Sequence, residues 1–392
     1  MTQLVCFKII HYTSIMKIPI VQTDVPPGFI DLGSGNPSLS LLPMEIIASA
    51  AERYFSAGDR RTIQYGAEQG NGNFLAALVD FLTVKYGFSV EAEQLLTTTG
   101  ASSALDLICT LFTRPGDAII VEEPTYFLAL SIFGDHCLEV HSVPLDHEGL
   151  DVDALEGLLH EVHPKFVYSI PTFHNPASVT LSKKRREQLV RLAEEHGFLV
   201  IADEVYHFLD YFQAPPQPLA IYTNRNEQIL SINSFSKILA PGLRLGWIQA
   251  HPKMIDRLVK SGLLDSGGGL NPFTSAIVSY LIESRDLAEN IQKLHDVYRL
   301  RLGSMTAALD RYLPEVEYQL PQGGYYFWVR MPKRDTSCVR EITQKRKIDF
   351  RPGRLFSSQK GLNDYIRLSI SLHEPEQIEE GIQLIAKSIR EP

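Results

Sequence analysis

The composition of this chain is that of a folded protein with a large core. Of its 392 residues, 44% are hydrophobic and 21% are charged, which provides enough apolar material for two lobes and argues against extensive disorder. The formal net charge of −9 argues against a general nucleic-acid binder, because phosphate contacts need clustered lysine and arginine.

Neither the cysteines nor the N-terminal stretch indicates a metal site, a disulfide framework or export. The four cysteines are scattered, with no CxxC pair and no short Cys/His cluster: Cys6, Cys109, Cys137 and Cys338. The apolar stretch "LVCFKIIHYTSIM" is interrupted by Lys8 and His11 and lacks a small-residue cleavage signal. No apolar run approaches the roughly 20 residues that span a bilayer. We therefore predict a mature, cytoplasmic chain that binds no membrane, no nucleic acid and no metal.

From about residue 95 to 250, short β-rich stretches alternate with helical patterns. "QLLTTT" and "DAIIVEE" are predicted strands that flank the predicted helix "SSALDLICTLFT". "KFVYSI" and "FLVIADE" are nearly continuous apolar runs, as expected of strands buried on both faces. Between them, a helix is predicted to start after Ser182 and to end at Gly197. This alternation predicts a parallel sheet covered by helices.

After "GWIQAHP" the pattern changes and predicts a second, smaller lobe. Long amphipathic helices are predicted from about 271 to 312. The strand candidates "GGYYFWVR", "KIDFRP" and "YIRLSIS" follow, with a final helix after them. Residues 1 to about 40 contain the Pro- and Gly-rich "VPPGFIDLGSGNPS" and are predicted to run along this lobe.

Candidate ligand-binding residues follow the predicted strands, because ligands collect at the carboxyl ends of strands in doubly wound sheets. "TTTGAS" places Gly100, Ala101 and Ser102 at a strand-to-helix junction, where free backbone N–H groups and the helix dipole favour a phosphate. An ordinary helix cap would give the same pattern, so this motif alone is weak evidence.

Three further strand ends carry polar or aromatic residues. Tyr126 in "VEEPTYF" could stack on a planar ligand or belong to the core, and Asn175 in "HNPAS" could bond a ligand hydroxyl or complete a turn. Asp203 and Glu204 end an apolar strand and are followed by Tyr206. A buried carboxylate needs a cation or several donors, so a protonated ring nitrogen and a structural salt bridge both remain open.

The most specific segment is "SFSKILAPGLRLGW". Its Lys237 stands among small and apolar residues, and partial burial near a cation such as Arg244 would lower the pKa of the amine. A lysine of this kind can act as a nucleophile and condense with an aldehyde to give a Schiff base. Ser234, Ser236 and Arg244 are donors of the type that hold a phosphate.

An arginine, Arg367, interrupts the apolar alternation of "NDYIRLSIS". An inward-facing arginine is unfavourable unless a carboxylate meets it. That carboxylate could be a buried aspartate or glutamate, or it could belong to a substrate.

The ordered set of GAS, EEPTY, HNPAS, ADEVY, SFSK with PGLRLGW and a late arginine strand resembles the fold-type I pyridoxal-phosphate (PLP) enzymes of the class I/II aminotransferase family. The resemblance runs from about "DLGSGNPS" to "SIS" and looks closest to the aminoadipate and kynurenine aminotransferase group. It implies an α/β fold with a mostly parallel seven-stranded sheet sandwiched by helices, plus a smaller α/β domain from the two chain ends. The corresponding bounds are 1–40 for the N-terminal segment, 41–275 for the large cofactor-binding domain and 276–392 for the small domain.

The resemblance also implies PLP as cofactor and a role for each matched residue. Lys237 would carry the cofactor and then move a proton as general acid and base, while Asp203 would pair with the ring nitrogen and Tyr126 would stack on the ring. Asn175 and Tyr206 would hold the phenolate oxygen. The implied phosphate ligands are Gly100, Ala101, Ser102, Ser234, Ser236 and Arg244.

For the substrate, the resemblance implies that Arg367 takes the α-carboxylate, with Gly35 and Asn175 nearby. Tyr65 in "IQYGAEQG" matches a phosphate-binding tyrosine that the family donates from the neighbouring subunit, which implies a homodimer with shared active sites. Two departures from the usual pattern are Ser178, where the family has a glycine, and the Tyr325–Tyr326 pair, where related enzymes carry smaller or more flexible apolar residues.

The implied reaction is transfer of an amino group from an α-amino acid to a 2-oxo acid by a ping-pong mechanism. The same set of residues also serves racemases, β-eliminating lyases and cyclising enzymes, because the cofactor carries the hard chemistry.

Another alternative is a PLP-binding sensor domain without turnover, as in regulators with an N-terminal DNA-binding domain. About 40 residues precede the matched region here, which disfavours it. A dinucleotide-binding dehydrogenase is also disfavoured, since "GNGNFL" lacks the third glycine.

Overall fold

The computed structural model describes residues 25–390, so the N-terminal stretch discussed above lies outside the described residues. The strands, in chain order, are β1 (Ile30–Asp31), β2 (Leu95–Thr98), β3 (Ala118–Glu123), β4 (Glu139–Asp146), β5 (Gly149–Leu150), β6 (Phe166–Ser169), β7 (Leu199–Asp203), β8 (Ile229–Ser234), β9 (Gly246–Ala250), β10 (Glu317–Tyr318), β11 (Tyr326–Arg330), β12 (Ile348–Asp349), β13 (Arg351–Pro352) and β14 (Tyr365–Ser369). The α-helices are α1 (Met44–Ala57), α2 (Gly72–Tyr86), α3 (Ala101–Phe112), α4 (Phe127–Asp135), α5 (Val152–Leu158), α6 (Lys183–His196), α7 (Pro252–Val259), α8 (Gly262–Gly267), α9 (Pro272–Glu283), α10 (Asp286–Tyr312), α11 (Thr336–Lys345) and α12 (Pro375–Arg390).

The large sheet has the strand order β2-β9-β8-β7-β6-β3-β4-β5. Strands β4, β3, β6, β7 and β8 are parallel, whereas β9 is antiparallel to both of its neighbours. The predicted α/β fold with a mostly parallel sheet is confirmed. The sheet has one strand more than the seven predicted, because the chain turns back after β4 and adds the two-residue strand β5 at the edge.

Local sequence signals account for the central part of this sheet. β6 and β7 are buried along almost their whole length, as their continuous apolar runs predict. α6 is the predicted crossover between them: the hydroxyl of Ser182 accepts from the N–H of Arg185, and Gly197 ends the helix in the left-handed conformation with φ 75°.

The smaller sheet is antiparallel, with the order β10-β11-β14-β13, and α10 and α12 pack together beside it. β1 pairs in parallel with β12, with Ile30 opposite Ile348. This pairing holds the segment around Gly35 against the C-terminal part of the chain, although the domain bounds at 40 and 275 stay predictions. None of the helices in residues 25–390 is long and apolar enough to cross a membrane.

Candidate active site

The carboxyl ends of β3, β6, β7 and β8 meet at one edge of the large sheet because these strands are parallel. β2 runs in the same direction, since it is antiparallel to β9 and β9 is antiparallel to β8. Five of the predicted site residues lie at or after these strand ends: Gly100, Tyr126, Asn175, Asp203 and Lys237. The topology therefore gathers at one edge residues that are widely separated in the sequence.

Lys237 lies in the turn after β8, and its amine points into this edge. Nζ donates to the carbonyl oxygen of Gly35 at 3.0 Å. Burial lowers the pKa of Lys237, and the positive charges of Arg367 and Arg244 act in the same direction. The lysine is therefore easier to deprotonate than a solvated one, which is the condition for a nucleophilic or proton-accepting amine.

Asp203, the last residue of β7, is a buried carboxyl with one open oxygen. Its Oδ2 accepts from the hydroxyl of Tyr168 at 2.7 Å, while Oδ1 makes no well-formed hydrogen bond within residues 25–390. Burial raises the pKa of Asp203 to about 6, although Tyr168, the backbone of Val205 and Lys237 all favour the charged form. A protonated ring nitrogen at Oδ1 would supply the missing partner.

The neighbouring Glu204 has a different environment. Its carboxylate accepts from Ser231 Oγ at 2.7 Å and from the backbone N–H of Leu219 at 2.8 Å, and it lies 3.7 Å from the guanidinium of Arg186. The sequence left a ligand site and a salt bridge equally open for this pair of acids. The structure separates them, because Glu204 is internally satisfied and Asp203 is not.

Arg367, on β14, is 3% exposed and takes part in no ion pair among the described residues. Nη1 donates to Asn175 Oδ1 at 2.8 Å and Nη2 to the carbonyl of Gly33 at 2.7 Å, while Nε has no hydrogen-bond partner within residues 25–390. The internal aspartate or glutamate that the sequence allowed is not found there. A carboxylate from outside the chain would complete this arginine.

Aromatic rings surround the guanidinium of Arg367. Its Cζ lies 4.0 Å from the ring centroid of Tyr326, 4.8 Å from that of Phe356 and 5.9 Å from that of Phe127. All three rings are within the range of a cation–π contact and help to bury the cation. Phe127 and Phe356 are not predicted from the sequence, because nothing in their local pattern distinguishes them from core residues.

A second group of predicted residues forms a cradle suited to an anion. Gly100, with φ 108°, precedes α3 without a side-chain cap, so the first N–H groups of the helix, at Ala101 and Ser102, face outward from its end. A Cβ on Gly100 would lie 3.0 Å from Nη2 of Arg244. The guanidinium and the helix N-terminus therefore face the same space.

Two hydroxyls lie in the turn that leads to Lys237. Ser234 and Ser236 are 2.9 Å apart, Oγ to Oγ, at the end of β8. With the N-terminus of α3 and Arg244 they supply the neutral donors and the positive charge that a phosphate monoester requires. The residues present therefore fit the phosphate end of PLP as well as its ring nitrogen.

The loop that carries Asn175 tolerates its departure from the family pattern. Ser178 adopts the left-handed conformation, φ 61°, at the position where the family has glycine, and its hydroxyl donates to the carbonyl of Tyr326. His174 lies 3.0 Å from the buried carboxylate of Glu122, which also accepts from the hydroxyl of Ser169. These contacts fix the loop so that the Asn175 amide reaches Arg367.

Two predicted tyrosines belong to the cluster and one does not. Tyr126 precedes α4 and is half-buried, with burial raising the pKa of its phenol. The hydroxyl of Tyr206 lies 3.1 Å from that of Tyr326. Tyr65, by contrast, is 84% exposed beside the turn at Gly268 and makes no hydrogen bond or ring contact with these side chains in the described part of the chain.

Comparison with known proteins identifies the family. The profile of the aminotransferase class I and II family matches residues 27–385. The chain belongs to this family. Aromatic-amino-acid aminotransferase 1 of Thermococcus litoralis is 34% identical, covering 92% of this chain and 88% of that protein. 2-Aminoadipate transaminase of Thermus thermophilus is 30% identical, covering 93% and 91%.

A solved structure agrees with the sequence relatives. The kynurenine aminotransferase of Pyrococcus horikoshii, solved in complex with PMP, KYN and KYA, is 31% identical and has a TM-score of 0.87, covering 93% of this chain and 91% of that one. This aminotransferase is therefore a PLP-dependent enzyme that moves amino groups between α-amino acids and 2-oxo acids. The family, fold, cofactor and reaction predicted from the motifs are confirmed.

Proposed function

We propose that Lys237, Asp203 and Arg367 are the three groups on which transamination by this chain depends. When bound, PLP supplies an aldehyde that bonds to amines and a ring that accepts the electron pair left at the substrate Cα. Lys237 would hold the cofactor through its amine, as a Schiff base, and would accept and return the proton at the substrate Cα. The observation that carries this proposal is a buried lysine, bonded to the Gly35 carbonyl, that interacts electrostatically with Asp203, a buried carboxyl with an unpartnered Oδ1. Burial, together with the charge of Arg367, lowers the pKa of Lys237, so its amine is readily deprotonated.

The remaining predicted residues hold the two ligands in the proposed site. Asp203 keeps the ring nitrogen protonated, Tyr126 stacks on the ring, and Asn175 with Tyr206 bonds the phenolate oxygen. The phosphate is held by backbone N–H groups and side chains of the anion cradle: Gly100, Ala101, Ser102, Ser234, Ser236 and Arg244. Arg367 binds the α-carboxylate beside Gly35, and its unpartnered Nε supports this assignment.

The test compares Lys237→Ala with the control variant Lys253→Ala. The side chain of Lys253 is 73% exposed and pairs with Glu227. After borohydride reduction, we expect the wild type and Lys253→Ala to carry the cofactor on a peptide containing residue 237, and the Lys237 variant to carry none. Mixing with an amino acid should convert the bound cofactor to its amine form only in the first two proteins. Normal turnover by Lys237→Ala, or release of pyruvate or an epimer in place of transamination by the wild type, would contradict the proposal.

We infer that the donor carries an aromatic or long apolar side chain. The support is the ring of Phe356 beside Arg367 and the packing of Trp328 and Phe127 against that ring. The aromatic-amino-acid and kynurenine aminotransferases among the relatives also support it. In a screen of amino donors with 2-oxoglutarate and with pyruvate, phenylalanine should exceed alanine in kcat/KM by roughly tenfold or more, as burial of one side chain allows. A preference for alanine or aspartate would refute this.

The proposed assembly is a homodimer in which Tyr65 completes the site of the other subunit. Large apolar side chains of α1, α8, α9 and the turn before Tyr65 are exposed, with exposed fractions of 42% to 67%: Phe55, Ile63, Leu263 and Phe273. Phe55 and Phe273 are in ring contact, 6.1 Å between centroids, so part of this set is contiguous. An exposed apolar patch of this kind is characteristic of a protein interface.

Mixing two inactive variants tests the shared site. In a dimer of Lys237→Ala with Tyr65→Ala, one site has both defects and the other has neither. Random exchange of subunits should therefore restore about a quarter of the wild-type sites. Sedimentation equilibrium should give twice the chain mass, and a monomer or an absence of recovery on mixing would contradict the proposal. The cytoplasmic location stays a proposal that rests on the sequence.

A further inference from the structure

Tyr326 is a side chain of the site whose contribution the family resemblance leaves open. It starts β11, and it is one of the two tyrosines at which the sequence departs from the resemblance described above. In the pairing of β11 with β14, Trp328 lies opposite Arg367, and Tyr326 occupies the diagonal position on the same face. The register therefore brings the Tyr326 ring to the guanidinium.

The two ends of Tyr326 contact two different parts of the site. Its ring centroid is 4.0 Å from Cζ of Arg367, the shortest cation-to-ring distance among the described residues. Its hydroxyl is 3.1 Å from that of Tyr206, and a Cβ on Gly35 would overlap it. Since the Gly35 carbonyl also accepts from Lys237, the hydroxyl lies beside the reactive amine.

The charges around the two phenols distinguish them. Burial raises the pKa of Tyr206 well above its ordinary value. Burial also raises the pKa of Tyr326, but the positive charges of Arg367 and Lys237 outweigh it and leave the pKa below its ordinary value. In the structure the Tyr206 hydroxyl donates to the Tyr326 hydroxyl. If Tyr206 donates to another acceptor instead, the Tyr326 hydroxyl, the more acidic of the two, can turn and donate to Tyr206.

We propose that Tyr326 is a positioning residue that joins the two halves of the site, its ring fixing the guanidinium of Arg367 and its hydroxyl fixing the phenol of Tyr206. The inference rests on the proposed function, in which Arg367 binds the substrate carboxylate and Tyr206 bonds the phenolate oxygen of the cofactor. The ring and the hydroxyl have separable effects. A residue that only filled space would be replaced by phenylalanine without consequence.

The experiment compares Tyr326→Phe and Tyr326→Leu with Tyr211→Phe. Tyr211 is a buried tyrosine whose hydroxyl donates to the carbonyl of Gly324, and it serves as the matched control. For each holoenzyme, the pH midpoint of the absorbance change of the bound cofactor is measured together with kcat and KM for one amino donor. The midpoint reports the hydrogen bond at the cofactor independently of turnover.

Tyr326→Phe should keep KM within about twofold and lower kcat about fivefold, the effect of one neutral hydrogen bond. The spectral midpoint should move upward by about half a pH unit, because Tyr206 loses its donor and stabilises the phenolate oxygen less. Tyr326→Leu, which also removes the ring, should raise KM about tenfold, as a desolvated cation–ring contact predicts. Tyr211→Phe should change none of these.

An active wild type with an unchanged midpoint and kcat in Tyr326→Phe would overturn the proposal. An unchanged KM in Tyr326→Leu would also overturn it, provided that this variant folds. If Tyr326→Leu does not fold, the result for Tyr326→Phe alone tests the proposal. A wild type that carries out no transamination would instead overturn the proposed function. The two failures are therefore distinguishable.

Discussion

Replacement of Asp203 by asparagine should stabilise the cofactor-free protein at neutral pH. The carboxyl is buried with one open oxygen, and its pKa is raised from 3.8 to about 6. A shift of this size in a fully buried group lowers the free energy of unfolding at pH 7 by about 3 kcal/mol. Asparagine keeps an acceptor for Tyr168 but buries an unpaired amide N–H, which costs about 1 kcal/mol, so we expect a net gain of about 2 kcal/mol.

The pH dependence has a definite sign. The folded state holds the Asp203 proton more tightly than the unfolded chain, so the wild type loses stability as pH rises from about 4 to about 6. Below pH 4 the carboxyl is neutral in both states. The stability of the Asp203→Asn variant should therefore approach that of the wild type in acid and exceed it at pH 7.5.

Urea unfolding of the cofactor-free proteins, in acid and at pH 7.5, measures the difference in the free energy of unfolding between the variant and the wild type. Unfolding is followed by the fluorescence of the buried Trp247. Glu204→Gln is the matched control, because it breaks a satisfied buried pair with Arg186 and should destabilise the protein. The asparagine variant should also bind PLP roughly 10- to 100-fold more weakly, the effect of a lost charge-assisted hydrogen bond. If Asp203→Asn destabilises the protein at pH 7.5 as much as Glu204→Gln does, Asp203 is a structural residue and the reasoning is wrong.

Three further substitutions probe the site. Arg367→Ala should raise KM for the amino donor roughly 100-fold in steady-state kinetics, because a bidentate ion pair with the substrate carboxylate is lost. The spectrum of the bound cofactor should stay the same. An unchanged KM would contradict this prediction. Tyr168→Phe removes the donor to Asp203 and should weaken PLP binding about fivefold in equilibrium dialysis, with equal affinity as the contrary result. Gly35→Ala places a Cβ on the Tyr326 hydroxyl and should abolish most turnover. Adding Tyr326→Phe removes that hydroxyl and should restore part of the turnover. A double variant no more active than Gly35→Ala would show that the clash is not the cause.

The parts of the fold that sequence predicts are those with local signals. The apolar runs of β6 and β7 and the two caps of α6 are legible because burial and capping act over a few residues. β5 was not predicted, since two residues that pair across a turn carry no periodicity. The site residues are predicted from the order of the family motifs, whereas each single motif leaves a structural alternative open.

What the sequence could not supply are contacts across long separations. The carbonyl of Gly33 accepts from Arg367 over 334 positions, and nothing in "DLGSGNPS" indicates that bond. Tyr168 was missed although a signal existed: a tyrosine in the buried strand beside β7 needs a partner for its hydroxyl, and the nearest strand end carries Asp203. The side chains were visible in the sequence, but their partners depend on the register of the sheets.

Two pairs of buried charges in this chain differ in their hydrogen bonds more clearly than in their burial. Arg186 and Arg367 are both almost fully buried, and so are Glu204 and Asp203. Arg186 donates to Leu181, Pro171 and Thr172 and faces Glu204, so that pair is complete without a ligand. Arg367 and Asp203 each keep an atom that no described residue satisfies, at the edge where Lys237 lies. An unpaired buried charge lowers stability, so these two atoms at one edge support the proposed function, in which an amino-acid carboxylate completes Arg367 and a ring nitrogen completes Asp203.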